Sequence, residues 1–149
     1  MALSIGDVVP NFKAKTQTGQ KFELSDYLNK PLVIYFYPKD NTPGCTTQAC
    51  GFRDQYQDFQ DLGAEVIGIS GDSEASHDSF AQKYNLPFIL LSDKNKKLRN
   101  LFGVPTHFFG LVPARVTYII DKQGKIISIF NSIKATVHIQ HALKMIKNM

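Results

Sequence analysis

The sequence predicts an α/β fold in which a mostly parallel β-sheet carries helices on both faces. Residues 32–37 and 65–71 are continuous runs rich in β-branched or aromatic side chains, which is typical of strands buried on both faces. Such runs alternate with longer amphipathic segments, the order produced when helices join parallel strands. The chain has 149 residues, which predicts one domain, 1–149.

The N-terminal part is predicted to form a small hairpin. In residues 7–24, short alternating pieces flank Thr-Gly-Gln at positions 18–20, a sequence suited to a turn. Residues 32–37 then form the first buried strand. Pro38 ends it, because proline lacks the N–H that a central strand needs.

A helix is predicted after that strand. Thr42 can serve as its N-cap, and Pro43 fits the first helical position. Gly63 is expected to end the helix near residue 62. One apolar stripe follows helical spacing: Cys45, Ala49, Phe52, Tyr56 and Phe59.

The rest of the chain continues the alternation. Ser73 is a candidate cap for the next helix, residues 102–113 form a loop rich in Gly, Pro and Phe, and residues 121–124 suit a hairpin turn. The predicted strands are 65–71, 88–91, 115–120 and 126–130, and the predicted helices are 73–84, 93–101 and 135–148. This order matches a thioredoxin-like three-layer α/β/α sandwich with an N-terminal hairpin extension.

The sequence argues against nucleic-acid binding, secretion and a membrane span. The formal net charge is +4, but the basic residues are scattered and form no nucleic-acid-binding motif. The start of the chain does not resemble a secretory signal, and no apolar run is long enough to span a bilayer. We therefore expect a soluble protein in a reducing compartment. The densest basic cluster is interpreted as a solvated helix face: Lys94, Lys96, Lys97 and Arg99.

The sequence contains two cysteines, Cys45 and Cys50. Two sulfurs cannot complete a four-sulfur zinc site, and the histidines lie far from them in sequence, so we expect neither a metal nor a cofactor. In a reducing compartment a close cysteine pair is more often redox-active than structural.

The position of Cys45 suits a reactive thiol. Unpaired N–H groups and the helix dipole favour an anion in the first turn of a helix, and a thiolate in this setting has a lowered pKa. The alternative is that Cys45 is a small core residue at the top of the apolar stripe.

The spacing of the two cysteines limits how they can pair. On an ideal helix the Cα atoms of Cys45 and Cys50 stand roughly 8.7 Å apart, whereas a disulfide needs less than about 7 Å. Either both thiols stay reduced, or the first turns unwind. Gly44 and Gly51 would ease such unwinding, since glycine disfavours helix.

The residues around the cysteines resemble a known family. The segment 38–45, Pro-Lys-Asp-Asn-Thr-Pro-Gly-Cys, fits the peroxiredoxin pattern of Pro, three residues, Thr or Ser, two residues and the peroxidatic Cys. Segments 35–54 and 102–121 are similar to the peroxiredoxin Q / bacterioferritin comigratory protein subfamily, the second to its cyanobacterial and plant-plastid members. The resemblance covers nearly the whole chain.

The resemblance implies a thiol peroxidase that reduces hydrogen peroxide and organic hydroperoxides. Cys45 would attack the peroxide and become a sulfenic acid. Cys50 would then react with that sulfenic acid to form an intramolecular disulfide. Thioredoxin or a similar dithiol reductase would reduce that disulfide. The family also implies a monomer, in the cytoplasm or, if a transit peptide has been removed, in the plastid stroma or thylakoid. The implied peroxide site consists of Pro38, Thr42, Cys45 and Arg115.

Further roles follow for residues near this site. Lowering the thiol pKa gains only about tenfold in thiolate near neutral pH. Arg115, with fixed planar donors, is therefore expected to hold the peroxide and stabilise the leaving oxygen. Pro38 would shield the thiolate from water. Gln48, where many members carry Glu, is expected to lie outside the site.

Alternatives stay open at this point. Thr42 can be only an N-cap, and Arg115 only a surface or ion-paired residue. Arg53 is interpreted as supporting structure, and His138 and His141 as a solvated helix face. The other candidate functions are a disulfide exchanger, which would prefer a C-x-x-C pair, and a non-catalytic binding module.

The peroxide preference is also open. The loop phenylalanines could form an apolar wall that favours bulky hydroperoxides, or they could serve as packing: Phe102, Phe108 and Phe109.

Overall fold

A computed structural model describes residues 2–107 and 112–149 of the chain. The strands are Lys13–Thr16 (β1), Lys21–Glu23 (β2), Leu32–Phe36 (β3), Glu65–Ser70 (β4), Ile89–Ser92 (β5), Thr106–His107 (β6), Val112–Pro113 (β7), Val116–Ile120 (β8) and Ile126–Asn131 (β9). The α-helices are Pro43–Asp54 (α1), Tyr56–Asp61 (α2), Glu74–Tyr84 (α3), Lys97–Phe102 (α4) and Ala135–Lys147 (α5). None of these helices has the length and apolar character needed to cross a bilayer.

One mixed sheet organises the molecule, with the strand order β2-β1-β5-β4-β3-β8-β9. Its centre is parallel, since β4 pairs in parallel with both β3 and β5. The outer strands run antiparallel: β1 extends the sheet beyond β5, and β8 and β9 extend it beyond β3. The predicted α/β class, the N-terminal hairpin and the C-terminal antiparallel pair are confirmed.

The central strand β3 has a core on each side. Val33 and Tyr35 point into a core with residues of α1, α2, α3 and α5. Ile34 and Phe36 point into a second core with residues of α4 and the N-terminal segment. Every residue of β3 is buried, as expected of a strand covered on both faces. The layers are therefore those of the predicted three-layer sandwich.

The helix predicted to run continuously to residue 62 is interrupted. Gln55, with φ −102° and ψ 6°, separates α1 from α2, and its N–H bonds to the carbonyls of Gly51 and Arg53. The end of α2 agrees with the prediction, because Gly63 adopts a positive φ of 76° that glycine tolerates best. Ser73 caps α3 as predicted, since its hydroxyl accepts from the N–H of Ser76.

The helix predicted to begin at residue 93 starts later, at Lys97. The Asp93 carboxylate accepts the N–H groups of Leu98 and Arg99 at 2.8 and 3.0 Å, so Asp93 lies outside the helix and caps its first turn. Arg99 is buried, and the solvated basic face predicted here is wrong for that residue. Lys94, Lys96 and Lys97 are exposed as predicted, but Lys94 and Lys96 precede α4 and do not lie on a helix face.

The loop predicted over residues 102–113 contains a short antiparallel pair, β6 and β7. Phe102 is fully buried in the second core, where its ring contacts Phe36 and Tyr118. It therefore serves packing rather than an exposed apolar wall. Phe108 and Phe109 lie outside the described residues.

The sheet topology brings distant residues to one edge. Because β3, β4 and β5 are parallel, the segments after them, at Pro38, Gly71 and Asp93, meet at the same edge. Strand β8 runs antiparallel to β3, and Val116 pairs with Phe36. Arg115, just before β8, thus lies at the edge where the chain leaves β3 for α1.

Candidate active site

Cys45 lies in the first turn of α1 with only 1% of its surface exposed. It is a free thiol. The Nη2 group of Arg115 donates to its Sγ at 3.4 Å. The fold therefore brings together the two residues that the sequence assigned to attack and to charge stabilisation, and it places a cation on the sulfur of Cys45.

The guanidinium of Arg115 reaches the sulfur because Gly44 has no side chain. A Cβ atom at Gly44 would lie 2.8 Å from the Nη2 of Arg115, which is closer than real Cβ atoms approach other heavy atoms. The glycine before Cys45 is thus a space requirement of the site.

Gln48 belongs to this site, and the prediction that it lies outside is wrong. Its Oε1 accepts from the Nη1 of Arg115 at 2.6 Å, and its side chain is fully buried. The amide oxygen therefore orients the guanidinium that contacts Cys45. The signal was available in the sequence, because a residue three positions after Cys45 shares its helix face.

Thr42 occupies the predicted N-cap position, with φ −80° and ψ 152°, but its side chain makes no capping hydrogen bond. Its hydroxyl instead donates to the carbonyl of Lys39 at 2.8 Å. A hydroxyl has one proton to donate and two lone pairs. Thr42 can therefore accept a hydrogen bond from a molecule bound above Cys45 while its own proton is engaged.

Pro38 lies two residues after the end of β3 and is half-buried. It begins the loop from residue 38 to Thr42, and it shares the sheet edge with Arg115. The structure thus brings Pro38, Thr42 and Arg115 to the N-terminal end of α1.

Cys50 lies further along α1 and is half-buried. Both cysteines are free thiols in one continuous helix. Gly51 packs closely against α5, since a Cβ atom there would lie 2.8 Å from the Cδ1 of Ile139. In this state Cys50 is held apart from Cys45, as the helical spacing requires.

An aromatic floor lies beneath the site. Tyr35 stacks on Phe52 of α1 at a centroid distance of 4.7 Å and is adjacent to Tyr37 at 5.4 Å. Burial raises the pKa of Tyr35 well above its usual value, and the neighbouring Cys45 and Asp40 raise it further. The Tyr35 hydroxyl has no hydrogen-bond partner among the described residues. The floor keeps water away from the underside of α1.

The histidines of α5 are not solvated as predicted. His138 is fully buried, and its Nε2 bonds to the carbonyl of Ser132 at 2.7 Å. Burial lowers its pKa, and nearby Arg115 acts in the same direction. The Ser132 N–H in turn donates to the carbonyl of Arg115 at 3.3 Å. His138 therefore supports the backbone that carries Arg115.

His141 and Arg53 also have structural roles. His141 stacks on Phe130 with ring centroids 4.3 Å apart and an angle of 17°. Arg53 donates to the carbonyl of Tyr84 at 2.8 Å, which confirms its interpretation as supporting structure.

Three potential metal ligands come together among the described residues: Asp40, Asp72 and His77, with ligand atoms within 4.8 Å of one another. These atoms already bond to protein groups. The Nδ1 of His77 lies 2.7 Å from the Oδ2 of Asp40, and its Nε2 lies 3.0 Å from the carbonyl of Leu91. The Oδ2 of Asp72 accepts from Asp40 N–H and from Ser70. The arrangement is that of a hydrogen-bonded cluster.

Comparison with known proteins gives concordant results. The model of the AhpC/TSA family matches residues 5–129. A chloroplastic peroxiredoxin Q of Triticum aestivum is 52% identical over 148 residues, which is 99% of this chain and 68% of the relative. The chloroplastic peroxiredoxin Q of Arabidopsis thaliana is 51% identical over 143 residues, 95% of this chain and 66% of the relative.

Solved structures show the same fold. A cysteine-to-serine mutant of peroxiredoxin Q from Xylella fastidiosa has a TM-score of 0.92 at 33% identity and covers 99% of this chain and 98% of its own. The bacterioferritin comigratory protein of Xanthomonas campestris has a TM-score of 0.87 at 32% identity, with 92% and 90% covered. Structures of the latter address its alkyl peroxide reduction activity.

Proposed function

The chain belongs to the AhpC/TSA family, in its peroxiredoxin Q branch, and is a thiol peroxidase; on that premise we propose that Cys45 is the nucleophile and Cys50 the resolving residue. The observation that carries this assignment is the 3.4 Å contact between the Nη2 of Arg115 and the Sγ of Cys45. A buried sulfur beside a guanidinium is suited to the thiolate form, which is the form that attacks.

In the first step the Cys45 thiolate attacks one peroxide oxygen and the O–O bond breaks. The sulfur becomes a sulfenic acid, and the second oxygen leaves as water or an alcohol after taking up a proton. Negative charge develops on that leaving oxygen. Arg115 has more N–H donors than its bonds to Cys45 and Gln48 use, so the guanidinium can stabilise the charge while it holds the peroxide in line.

Thr42 and Pro38 complete the peroxide site in this proposal. Thr42 accepts a hydrogen bond from the peroxide, since its own proton is donated to Lys39. Backbone N–H groups of the first turn of α1 add donors, because Thr42 does not cap them. Pro38 shields the sulfur from bulk water.

In the second step the Cys50 thiol attacks the sulfenic sulfur, a disulfide forms and water leaves. The first turns of α1 must unwind for this, since an intact helix keeps the two Cα atoms farther apart than a disulfide allows. A dithiol protein of the thioredoxin type then exchanges with the disulfide, which restores both thiols and leaves the partner oxidised.

Hydrogen peroxide and organic hydroperoxides are the proposed substrates, and the alkyl peroxide reduction studied in the Xanthomonas campestris relative supports the second.

We also propose that residues 1–149 act as one domain and as a monomer. A cytoplasmic location is proposed, with the plastid as the alternative that the chloroplastic relatives support. Sizing of the reduced protein and a fluorescent fusion would test the oligomeric state and the compartment.

Reduced protein treated with one equivalent of hydrogen peroxide tests the chemistry. Mass spectrometry is expected to find a loss of two hydrogens that maps to a bond between Cys45 and Cys50. In Cys50→Ser the reaction is expected to stop at a sulfenic acid that a diketone probe labels. Peroxide consumption by Cys45→Ser at the wild-type rate would overturn the assignment. Steady-state rates with thioredoxin against glutathione identify the reductant.

A further inference from the structure

The loop between β3 and α1 is tied to the rest of the protein through Asp40. The side chain of Asp40 is 2% exposed. Its Oδ1 accepts from the hydroxyl of Tyr37 at 2.6 Å, and its Oδ2 accepts from the hydroxyl of Ser76 at 2.8 Å. The Oδ2 also lies 2.7 Å from the Nδ1 of His77, which is completely buried. A buried charge needs such partners, because desolvation is otherwise costly.

The contacts of His77 determine where its protons are. The carbonyl of Leu91 can only accept, so the Nε2 of His77, 3.0 Å away, carries a proton. A second proton must lie between Nδ1 and Asp40 for a contact of 2.7 Å to be favourable. Both nitrogens of His77 are therefore engaged, one with the loop before α1 through Asp40 and the other with β5 through Leu91.

The backbone of the loop is held at the same point. The N–H of Asp40 donates to the Oδ2 of Asp72 at 2.8 Å. Ser70 donates to the same oxygen at 2.7 Å, and Ser92 donates to the carbonyl of Asp72 at 2.6 Å. Asp40 is thereby joined through side chain and main chain to the ends of β4 and β5 and to α3.

This anchor lies between the predicted catalytic residues. Asp40 is two residues from both Pro38 and Thr42 and five before Cys45. Within the loop, Asn41 adopts a positive φ of 62°, and Thr42 donates back to Lys39. The loop thus has a defined shape that depends on where Asp40 is held.

We propose that the buried Asp40–His77 pair positions the peroxide site, by holding the loop before α1 in place while the first turns of α1 unwind and re-form in each cycle. The proposal rests on the peroxidase cycle described above. A helix that unwinds in every catalytic cycle needs a fixed start if Cys45 and Thr42 are to return to Arg115. A misplacement of about 1 Å can lower a reaction rate about a hundredfold.

Asp40→Asn and His77→Asn test the pair, each in a Cys50→Ser background that isolates the first step. Asp40→Asn keeps the shape of its side chain, His77→Asn keeps a polar group near the former Nδ1, and each change removes one partner of the pair. The second-order rate of Cys45 oxidation by hydrogen peroxide is expected to fall by at least about tenfold. Alkylation of Cys45 by iodoacetamide is expected to change less than about twofold, because alkylation does not need the loop to hold a peroxide.

The matched control is Asp78→Asn, which makes the same change of Asp to Asn at a residue of α3. Asp78 pairs with Gln82 on the surface. It is expected to react with peroxide like the background protein. Unchanged peroxide rates in both test variants would overturn the proposal, as would a parallel loss of peroxide and iodoacetamide reactivity. Slow oxidation of the background protein itself would instead contradict the proposed function.

A measurement on the wild-type protein keeps the proposal falsifiable should the variants fold poorly. Amide hydrogen exchange read by NMR is compared between the dithiol and the oxidised protein. The N–H of Asp40 is expected to stay protected after oxidation, whereas amides of the first turns of α1 lose protection. Equal loss of protection at Asp40 and in α1 would overturn the proposal.

Discussion

Arg115 and Cys45 are 70 residues apart in sequence, yet the Nη2 of one lies 3.4 Å from the Sγ of the other. Two strands place these residues together. The chain passes from the end of β3 to the N-terminal end of α1, and β8 begins beside the end of β3 because the two strands are antiparallel. The side chain of Arg115 then bridges Cys45 and Gln48, which lie one helical turn apart.

Gln48→Met is expected to slow peroxide reduction with little loss of stability. The substitution removes the oxygen that accepts from Arg115 at 2.6 Å, so the guanidinium loses its fixed orientation. It also removes the Nε2 of Gln48, a buried donor without a partner among the described residues, which offsets the lost bond in the free energy of unfolding. Stopped-flow oxidation is expected to slow by about tenfold.

The control for this change is Gln57→Met, at an exposed glutamine of α2 whose amide donates to Asp61. It is expected to leave the peroxide rate unaltered. A Gln48→Met protein that reacts at the wild-type rate would mean that Arg115 needs no acceptor at residue 48.

Gly44→Ala is expected to displace Arg115 from the sulfur. The new Cβ atom would lie 2.8 Å from Nη2, and the flexible arginine moves more easily than the helix backbone. Alanine also favours helix over glycine by up to about 1 kcal/mol, so thermal stability should not fall. The peroxide rate is expected to decrease by about ten- to a hundredfold, measured in a Cys50→Ser background.

Gly51→Ala provides the comparison, since it makes the same change in the same helix but meets the Cδ1 of Ile139 at 2.8 Å. Its first-step rate should match the background. If both variants slow the first step equally, helix stiffness rather than the position of Arg115 controls that step.

Much of this molecule could be predicted from the sequence, because the fold depends on patterns that are local. The run at residues 32–37, the cap at Ser73 and the turn at residues 121–124 each fix an element through neighbours in the chain. The motif around Cys45 likewise predicts the nucleophile, the threonine and the proline of the proposed peroxide site.

The remaining features depend on tertiary contacts that no local pattern reveals. The start of α4 is delayed because Asp93 folds back to cap it. His138 falls on the buried face of α5 with Ala135 and Ala142, but only the fold brings Thr117 and Ser132, on neighbouring segments, to its two nitrogens. Asp40 likewise occurs within a recognisable motif, while its partner His77 lies 37 residues away.

Acidification is expected to destabilise the protein through His138. Burial lowers the pKa of this imidazole below the usual value of 6.5. Its neutral form uses Nε2 to donate to Ser132 and Nδ1 to accept from Thr117 at 2.8 Å. Below pH 6.5 the His138 side chain of the unfolded protein takes up a proton, whereas that of the folded protein resists it. The contribution of His138 to the free energy of unfolding is therefore fully present above pH 6.5. It decreases as the pH falls from 6.5 to the lowered pKa of the folded protein.

Urea unfolding at about pH 7.5 and about pH 5.5 measures this effect. His138→Gln is expected to show a smaller difference between the two conditions than the wild type. His141→Gln serves as the comparison, because His141 is more exposed and should contribute less. An unchanged pH dependence in His138→Gln would assign the acid sensitivity to other groups.

Tyr35→Phe is expected to stabilise the reduced protein, unlike most changes to a buried residue. The hydroxyl is buried, has no hydrogen-bond partner among the described residues, and lies 2.9 Å from where a Cβ atom on Gly68 would be. An unsatisfied buried polar group costs about 1–3 kcal/mol. For a chain of this size each kilocalorie per mole corresponds to a rise in Tm of about 2–4 °C.

The same change should also slow disulfide formation. Tyr35 lies close enough to Cys45, in the first turn of α1, for that residue to raise its pKa, so unwinding of that turn admits water to the hydroxyl and relieves its cost. Removing the hydroxyl stabilises only the intact helix and raises the barrier to bringing Cys50 to Cys45. Peroxide attack on Cys45 should keep its rate, while the later formation of the disulfide slows and overoxidation at high peroxide increases. A Tyr35→Phe protein that is less stable and resolves faster would show that the hydroxyl is hydrogen-bonded in solution.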